Sequence, residues 1–290
     1  MPYLPMVKTI GIICKHDKAE AQDAAWKLIN WLKKRGVEAI LDIGAARCLK
    51  IEGAPAEEIV ERADMLVVLG GDGTLLSVAR LVGPRGKPIM GVNLGTLGFI
   101  TSVQLSQLYL TMETVLSGQY KVQERMMLTA RLKRTNGEVE THHVLNDMVI
   151  NKGALARIID LETYIDHRCL TIYKADGLII YTPTGSTGYS LSAGGPIVNP
   201  TLSCLGITPI CPHTLTNRPL ILPDNVTLEV VLRSRNEDVY LTLDGQVGMK
   251  LSHNDVVEAR KADFKMYFVM SQQDDYYYTL RAKLRWGEKC

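Results

Sequence analysis

The sequence predicts an α/β N-terminal half joined to a β-rich C-terminal half, and three observations carry that prediction. Strand-like apolar runs alternate with helical patterns as far as about residue 120, the signature of βαβ units on a parallel sheet. Beyond Tyr120 the apolar period changes from helical to alternating. The chain has 290 residues, of which 46% are hydrophobic, enough for two cores at roughly 150 residues per domain. Lys and Arg number 33 against 31 Asp and Glu, so the net charge of +2 gives no field that points to nucleic acid or a membrane surface. No apolar run reaches about 18 residues, and the opening MPYLPMVKTIGIICKHDK lacks the basic stretch and small-residue cleavage site of a secretory leader. The expectation is a cytoplasmic protein with no nucleic-acid and no membrane partner.

In order, Val7 to Cys14 reads as the first strand, and Asp17 to Arg35 as a helix with Ala21, Ala24, Ala25, Leu28 and Leu32 near helical spacing. Gly36 stands where a helix-ending glycine belongs. Val37 to Leu41 is the second strand, Ala56 to Arg62 a short helix, and Asp64 to Leu69 a fully buried third strand. Leu75 to Val82 then reads as a helix and Pro88 to Val92 as a strand. In the second half, Met126 to Arg134 and Glu138 to Ile150 form a hairpin around Asn136-Gly137, a pair suited to positive φ. Further strands are Ile158 to Ile165, Thr171 to Tyr173, Val226 to Leu232, Val239 to Leu243 and Phe264 to Met270. Tyr276 to Trp286 is amphipathic and basic, a tail helix that packs back on the first domain.

Six cysteines (Cys14, Cys48, Cys169, Cys204, Cys211, Cys290) form no CxxC pair and read as reduced, mostly buried thiols; the histidines show no zinc-ligand spacing. Gly177 to Asn217 carries no formal charge yet is rich in Gly, Ser, Thr and Pro. Such a segment is either a ligand pocket or a buried loop whose hydroxyls are consumed in hydrogen bonds.

The third strand opens through Gly70-Gly71-Asp72-Gly73-Thr74 into a helix, which places backbone N–H groups and a positive helix end at the carboxyl edge of the sheet. That edge binds phosphate. The glycines let a ligand approach the backbone, and Thr74 either caps the helix or contacts a phosphate oxygen. Asp72 is the odd member, because a carboxylate repels phosphate unless a divalent metal bridges them or it takes a proton from an attacking hydroxyl; it points to phosphoryl transfer. The plainer alternative is a structural turn with Asp72 as helix cap. Neither GxxxxGK[ST] nor GxGxxG occurs.

Gly70 to Thr74, Leu94-Gly95-Thr96-Leu97-Gly98-Phe99, Asn146-Asp147, Asp176-Gly177-Leu178 through Thr182-Pro183-Thr184-Gly185-Ser186-Thr187-Gly188-Tyr189-Ser190-Leu191-Ser192, and Asp244-Gly245-Gln246 together resemble bacterial NAD kinases, in order and over nearly the whole chain. The first loop is shared with diacylglycerol and sphingosine kinases and phosphofructokinases. The stretch from Thr182 onward singles out NAD kinases. The resemblance implies a Rossmann-like domain over 1–120 with the tail 271–290, a β-rich, sandwich-like NAD-binding domain over 121–270, and a site between them. It implies phosphorylation of the adenosine ribose 2'-hydroxyl of NAD by ATP, in a homodimer or homotetramer. A divalent cation, Mg2+, would ride mainly on the nucleotide phosphates, since no carboxylate cluster at ligand spacing occurs and no metal-ligating residue is assigned.

By the same resemblance Asp72 is the general base, with Gly73 beside it and Gly70, Gly71 and Thr74 completing the phosphate loop. Asn146 reads the adenine edge and Asp147 accepts from ribose hydroxyls; from spacing alone the pair is a strand-end turn. Asp176 takes the nicotinamide end, while Thr187, Gly188, Tyr189, Ser190, Leu191 and Ser192 wrap the dinucleotide, Tyr189 stacking on a base. Arg157, Lys174 and Gln246 complete the pocket, although Arg157 and Lys174 taken bare are solvated surface charges. Lys174, two places before Asp176-Gly177, resembles the ATP-preferring members rather than the polyphosphate users. Gly188 departs from the usual Ala, which frees the backbone, removes a methyl contact and weakens binding without abolishing it. Two other readings compete: a lipid kinase sharing the loop, which needs an apolar groove, and a non-catalytic NAD(H)-binding regulator, which needs no carboxylate at Asp72.

Overall fold

The structure, a computed structural model, describes residues 7–15, 18–95, 98–154, 157–235, 238–273 and 275–287. The chain divides into two compact units, Met1–Glu124 with Met266–Cys290, and Arg125–Lys265. The first is α/β around a parallel sheet and the second is almost entirely β, the fold class expected from the periodicities.

In the first unit β1 (Thr9–Cys14) leads into α1 (Ala19–Lys33), β2 (Glu38–Leu41), α2 (Ile43–Leu49), α3 (Ala56–Arg62) and β3 (Met65–Gly70). Then come α4 (Asp72–Val82), β4 (Ile89–Asn93), the two-residue β5 (Val103–Gln104) and α5 (Leu108–Leu116). The strands run parallel in the order β4, β3, β1, β2, with β5 on the outer side of β4. β3 is central and wholly buried, hence its unbroken apolar run. α1 buries the predicted Ala21, Ala24, Ala25, Leu28 and Leu32, and Gly36 at φ +70 ends it; its predicted start at Asp17 lies outside the described residues. α2 and α5 escape the sequence reading. α2 is a capped helix of about two turns, in which the Asp42 carboxylate accepts from Ala45 N (3.0 Å) and, through its other oxygen, from Cys14 N (2.9 Å).

The second unit begins within β6 (Val122–Lys133) and continues through β7 (Val139–Val144), β8 (Asp147–Lys152), β9 (Ile159–Ile165), β10 (Arg168–Ala175) and β11 (Gly177–Tyr181). The short helix α6 (Tyr189–Ser192) precedes β12 (Cys204–Ile210), β13 (Leu220–Pro223), β14 (Leu228–Leu232), β15 (Val239–Leu243), β16 (Val247–Leu251) and β17 (Val256–Val269). Antiparallel pairing joins β10, β9, β14 and β17, and separately β13, β12, β11, β8, β15 and β16. Leu161 and Val230 from the one sheet share a core with Met148, Ile150, Ile180 and Leu241 from the other. A last helix, α7 (Tyr276–Leu284), belongs to the first unit, where the Lys283 Nζ lies 5.4 Å from the Phe99 ring centre.

Three expectations need correcting. Glu138 to Ile150 is not one hairpin arm: it breaks at Leu145-Asn146, β7 pairing with β6 while β8 enters the other sheet. Phe264 to Met270 is not a separate strand: Phe264 to Val269 is the end of the fourteen-residue β17, and Met270 lies beyond it. The thiols are not mostly buried: Cys48, Cys169 and Cys211 are exposed, Cys204 is half-buried and only Cys14 is buried, all five free, while Cys290 lies outside the described residues.

Candidate functional site

In the first unit, α4 starts at Asp72, three residues earlier than its apolar pattern indicates. Gly71 is the N-cap and no side chain caps the helix, so neither Asp72 nor Thr74 has that role. Thr74 instead folds back over Gly70, where any Cβ would sit 2.7 Å from its hydroxyl oxygen. The Asp72 carboxylate turns to the chain after β4. Its Oδ2 accepts from Phe99 N (2.8 Å), and its Oδ1 accepts from Ile100 N (3.2 Å), Thr101 N (3.0 Å) and the Thr101 hydroxyl (2.9 Å). Gly98 makes this approach feasible, because a Cβ there would overlap both Thr101 Oγ1 and Asp72 Oδ1. Two motifs that the sequence presents separately are thus one construction, of which Thr96 and Leu97 lie outside the described residues.

A carboxylate offers about two lone-pair sites per oxygen. Oδ1, with three donors, is filled; Oδ2, with one, keeps room for another.

In the second unit a cavity of about 370 Å³ is lined by Asn146, Asp147, Val149, Asn151, Gly188, Tyr189, Thr242, Asp244 and Gly245. Strand alternation explains most of this wall. Met148 and Ile150 point into the core, so Asp147, Val149 and Asn151 share the opposite face of β8, and Thr242 stands opposite Val149 on β15. Four of the predicted residues, Asn146, Asp147, Gly188 and Tyr189, meet here. Val149, Asn151 and Thr242 were missed, although the period of two from Asp147 marks the first two.

The uncharged segment holds this wall from behind. Thr182 N donates to Asn146 O (2.9 Å) and the Thr182 hydroxyl donates to Leu145 O (2.5 Å). Gly185 lies where a Cβ would overlap the Asn146 carbonyl. Ser186 Oγ bonds to Pro183 O (2.7 Å) and accepts from Val198 N (3.0 Å), and Ser190 Oγ pairs with Thr208 Oγ1 (3.0 Å). Most of these hydroxyls are therefore consumed in structure, while Gly188 and half-exposed Tyr189 face the cavity.

The other predicted residues stand outside that lining. Ser190 is fully buried, Thr187 and Leu191 are half-buried, and Ser192 is exposed. Lys174 is exposed and lies 3.4 Å from Asp160, and Asp176 lies 3.6 Å from Lys152. Arg157 is exposed just before β9, and Gln246 is exposed in the turn after β15.

Asp147 is 6% exposed and its acidity is altered accordingly. Burial and the neighbouring Asp244 charge push its carboxyl up to about 7, against the opposing effect of the Tyr189 backbone N–H.

The ATP-NAD kinase N-terminal domain profile matches residues 10–120 and the C-terminal domain profile residues 145–271. NAD kinase of Geobacter metallireducens is 55% identical over 283 residues, covering 98% of this chain and 100% of that protein. The chain belongs to the NAD kinase family. NAD kinase of Geobacter sulfurreducens is 56% identical over 284 residues with the same coverage. Among solved structures, yeast NADH kinase complexed with NADH has a TM-score of 0.93 at 28% identity, covering 99% of this chain and 90% of that one. An Archaeoglobus fulgidus NAD kinase in complex with ATP shares the fold, with a TM-score of 0.77 at 23% identity, 96% of this chain and 98% of that one being covered. Membership of the NAD kinase family makes the protein a phosphotransferase. No described helix is long and apolar enough to cross a membrane.

Proposed function

We propose that this chain transfers the γ-phosphoryl group of ATP to the 2'-hydroxyl of the adenosine ribose of NAD, giving NADP. The cavity that gathers Asn146, Asp147, Gly188 and Tyr189 carries the reading. An amide and a carboxylate side by side read an adenine edge and accept from ribose hydroxyls, and Tyr189 at the rim offers a ring for stacking. Arg157, Lys174, Asp176, Thr187, Ser190, Leu191, Ser192 and Gln246 keep their assignment as flanking contacts on family grounds. A lipid-kinase reading is disfavoured because amide, hydroxyl and carboxylate groups line this cavity, with Val149 the only apolar side chain among them besides Tyr189. The action is assigned to the cytoplasm, in a homo-oligomer.

Asp72 receives the 2'-hydroxyl proton at Oδ2, the oxygen with room, while Oδ1 stays bonded to Ile100 and Thr101. Holding the base in place contributes more here than its proton affinity does. Gly70, Gly71, Gly73 and Thr74 supply the backbone against which phosphate packs. Among the described residues no group of three or more His, Cys, Asp and Glu could hold a metal ion. On family grounds the divalent cation would arrive on the triphosphate.

The test incubates the purified chain with NAD, ATP and Mg2+ beside its Asp72→Asn variant and follows NADP with an NADP-specific dehydrogenase. Wild type should form NADP, and the variant should lose on the order of 10²–10⁴-fold in turnover while still binding NAD. Binding of NAD without any NADP from wild type would instead favour the regulator reading.

A further inference from the structure

Asp244 lies in the turn between β15 and β16, where it has φ +48 and Gly245 has φ +66, and Gln246 N closes the turn on Leu243 O (2.9 Å). Such a turn asks for Asn or Gly. A charged side chain that is 6% exposed, with Asp147 as a like-charged neighbour, is a costly choice for a turn alone. Its carboxylate is occupied in an unusual way. Oδ2 accepts from Leu145 N (3.2 Å), and Oδ1 accepts from Asn146 N (2.8 Å) and Asp147 N (3.3 Å). Three consecutive amides thus converge on one anion, as in the backbone nests that bind phosphate. An Asn at this position would present one acceptor oxygen and turn an N–H toward these donors. In return, Asp244 N donates to Asp147 O (2.9 Å).

These amides are where the predicted hairpin arm breaks, between β7 and β8. The carbonyls of the same residues, Leu145 and Asn146, are taken by Thr182. The peptide backbone that carries Asn146 and Asp147 is therefore gripped on its N–H side by Asp244 and on its C=O side by Thr182.

We propose that Asp244 is a positioning residue for NAD: it folds the Leu145–Asp147 backbone around its carboxylate and so sets the direction in which Asn146 and Asp147 enter the cavity. The inference rests on the reading of this cavity as the adenosine site. The charge facing Asp147 is that of Asp244, from the β15–β16 turn, and from the side of α6 the contact is the uncharged Tyr189 N–H.

The experiment measures kcat and KM for NAD and for ATP, from pH 5.5 to 9, in wild type, Asp147→Asn, Asp244→Asn and Asp244→Ala. The isosteric Asn variant keeps the test alive where the Ala variant fails to fold. Asp244→Asn should raise KM for NAD by tenfold or more and leave KM for ATP within twofold. Its acidic limb in kcat/KM for NAD should also move to lower pH, because the like charge beside Asp147 is gone. A residue that merely supported the fold would lower activity without splitting the two KM values or moving that limb. Asp244→Asn with wild-type KM for NAD, where Asp147→Asn raises it, overturns the role of Asp244 alone. Unchanged KM for NAD in Asp147→Asn removes the cavity reading and the inference with it.

Discussion

Asp147→Asn should make the ligand-free protein more stable while it weakens NAD binding. Raising the Asp147 carboxyl from its ordinary 3.8 to about 7 corresponds to about 4 kcal/mol, at about 1.4 kcal/mol per tenfold change in proton affinity. The sign follows from linkage. Below pH 3.8 the group is protonated in folded and unfolded chains alike and contributes nothing. As pH rises from there toward 7, the unfolded chain gives up the proton and the folded chain keeps it, so stability drains away; above 7 the whole penalty is present. Asn has the same shape, can accept from Tyr189 N–H through its own oxygen, and carries no such penalty. Roughly 2 to 4 kcal/mol is expected at pH 8, which is roughly 5 to 15 °C in Tm for a domain of this size. Thermal and denaturant unfolding of both proteins without NAD, from pH 5 to pH 9, reads this directly. The difference should grow through pH 5 to 7 and then level off, with NAD affinity of the variant lower by tenfold or more. A difference that does not change with pH, or a variant less stable than wild type at pH 8, would refute the account of Asp147 as a buried, disfavoured anion.

Gly98→Ala should cost roughly 1–3 kcal/mol of stability and a larger share of turnover than of NAD affinity, since a methyl group there overlaps Thr101 Oγ1 and Asp72 Oδ1. Thermal unfolding with steady-state kinetics checks it, and unaltered turnover would deny the coupling of Gly98 to Asp72. Gly188→Ala should be tolerated: its φ of −92° is outside the left-handed region, and the methyl would lie 3.2 Å from Gly185 O and 3.5 Å from Asp147 Oδ2. KM for NAD should fall about two- to threefold as the loop loses freedom in the unbound state, so a rise would show that the methyl obstructs the cavity.

What the sequence disclosed and what it hid divide along a physical line. β3 and the glycine loop were legible because their signals are local: an unbroken apolar run, then residues that tolerate close approach. The partners of Asp72 were not, since nothing in Gly70 to Thr74 tells which amides its carboxylate will find, and they lie 27 to 29 residues away. The break at Leu145-Asn146 was hidden more deeply. Asn146 is a poor strand former and with Asp147 reads as a turn, but the anion that turns the Leu145 and Asn146 amides aside is 98 to 99 residues further on. β11 was overlooked because GLIIY, buried on both faces between β8 and β12, lacks the alternation that betrays a half-exposed strand. In the uncharged segment the abundance of hydroxyls was plain from composition, but their division between structure and cavity depends on which backbone groups they meet.

On the proposed reading, that segment's lack of charge suits Asp147 and Asp244. Two buried carboxylates at one wall would ordinarily be relieved by a nearby Lys or Arg, and the relief would be worth several kcal/mol to the folded chain. On the proposed reading such a cation would also occupy the acceptor sites that Asp147 offers to ribose hydroxyls, so the neutralised site would be more stable and less useful. Thr182 and Ser186 hold the surrounding backbone with hydroxyls, which bond without supplying countercharge. The amides of Leu145, Asn146 and Asp147 do the same for Asp244, stabilising its charge by dipoles that cannot migrate to Asp147. The wall thus keeps one carboxylate satisfied by the backbone and the other under-satisfied and available, and on the proposed reading the instability this leaves in the empty protein is what a ribose relieves on binding.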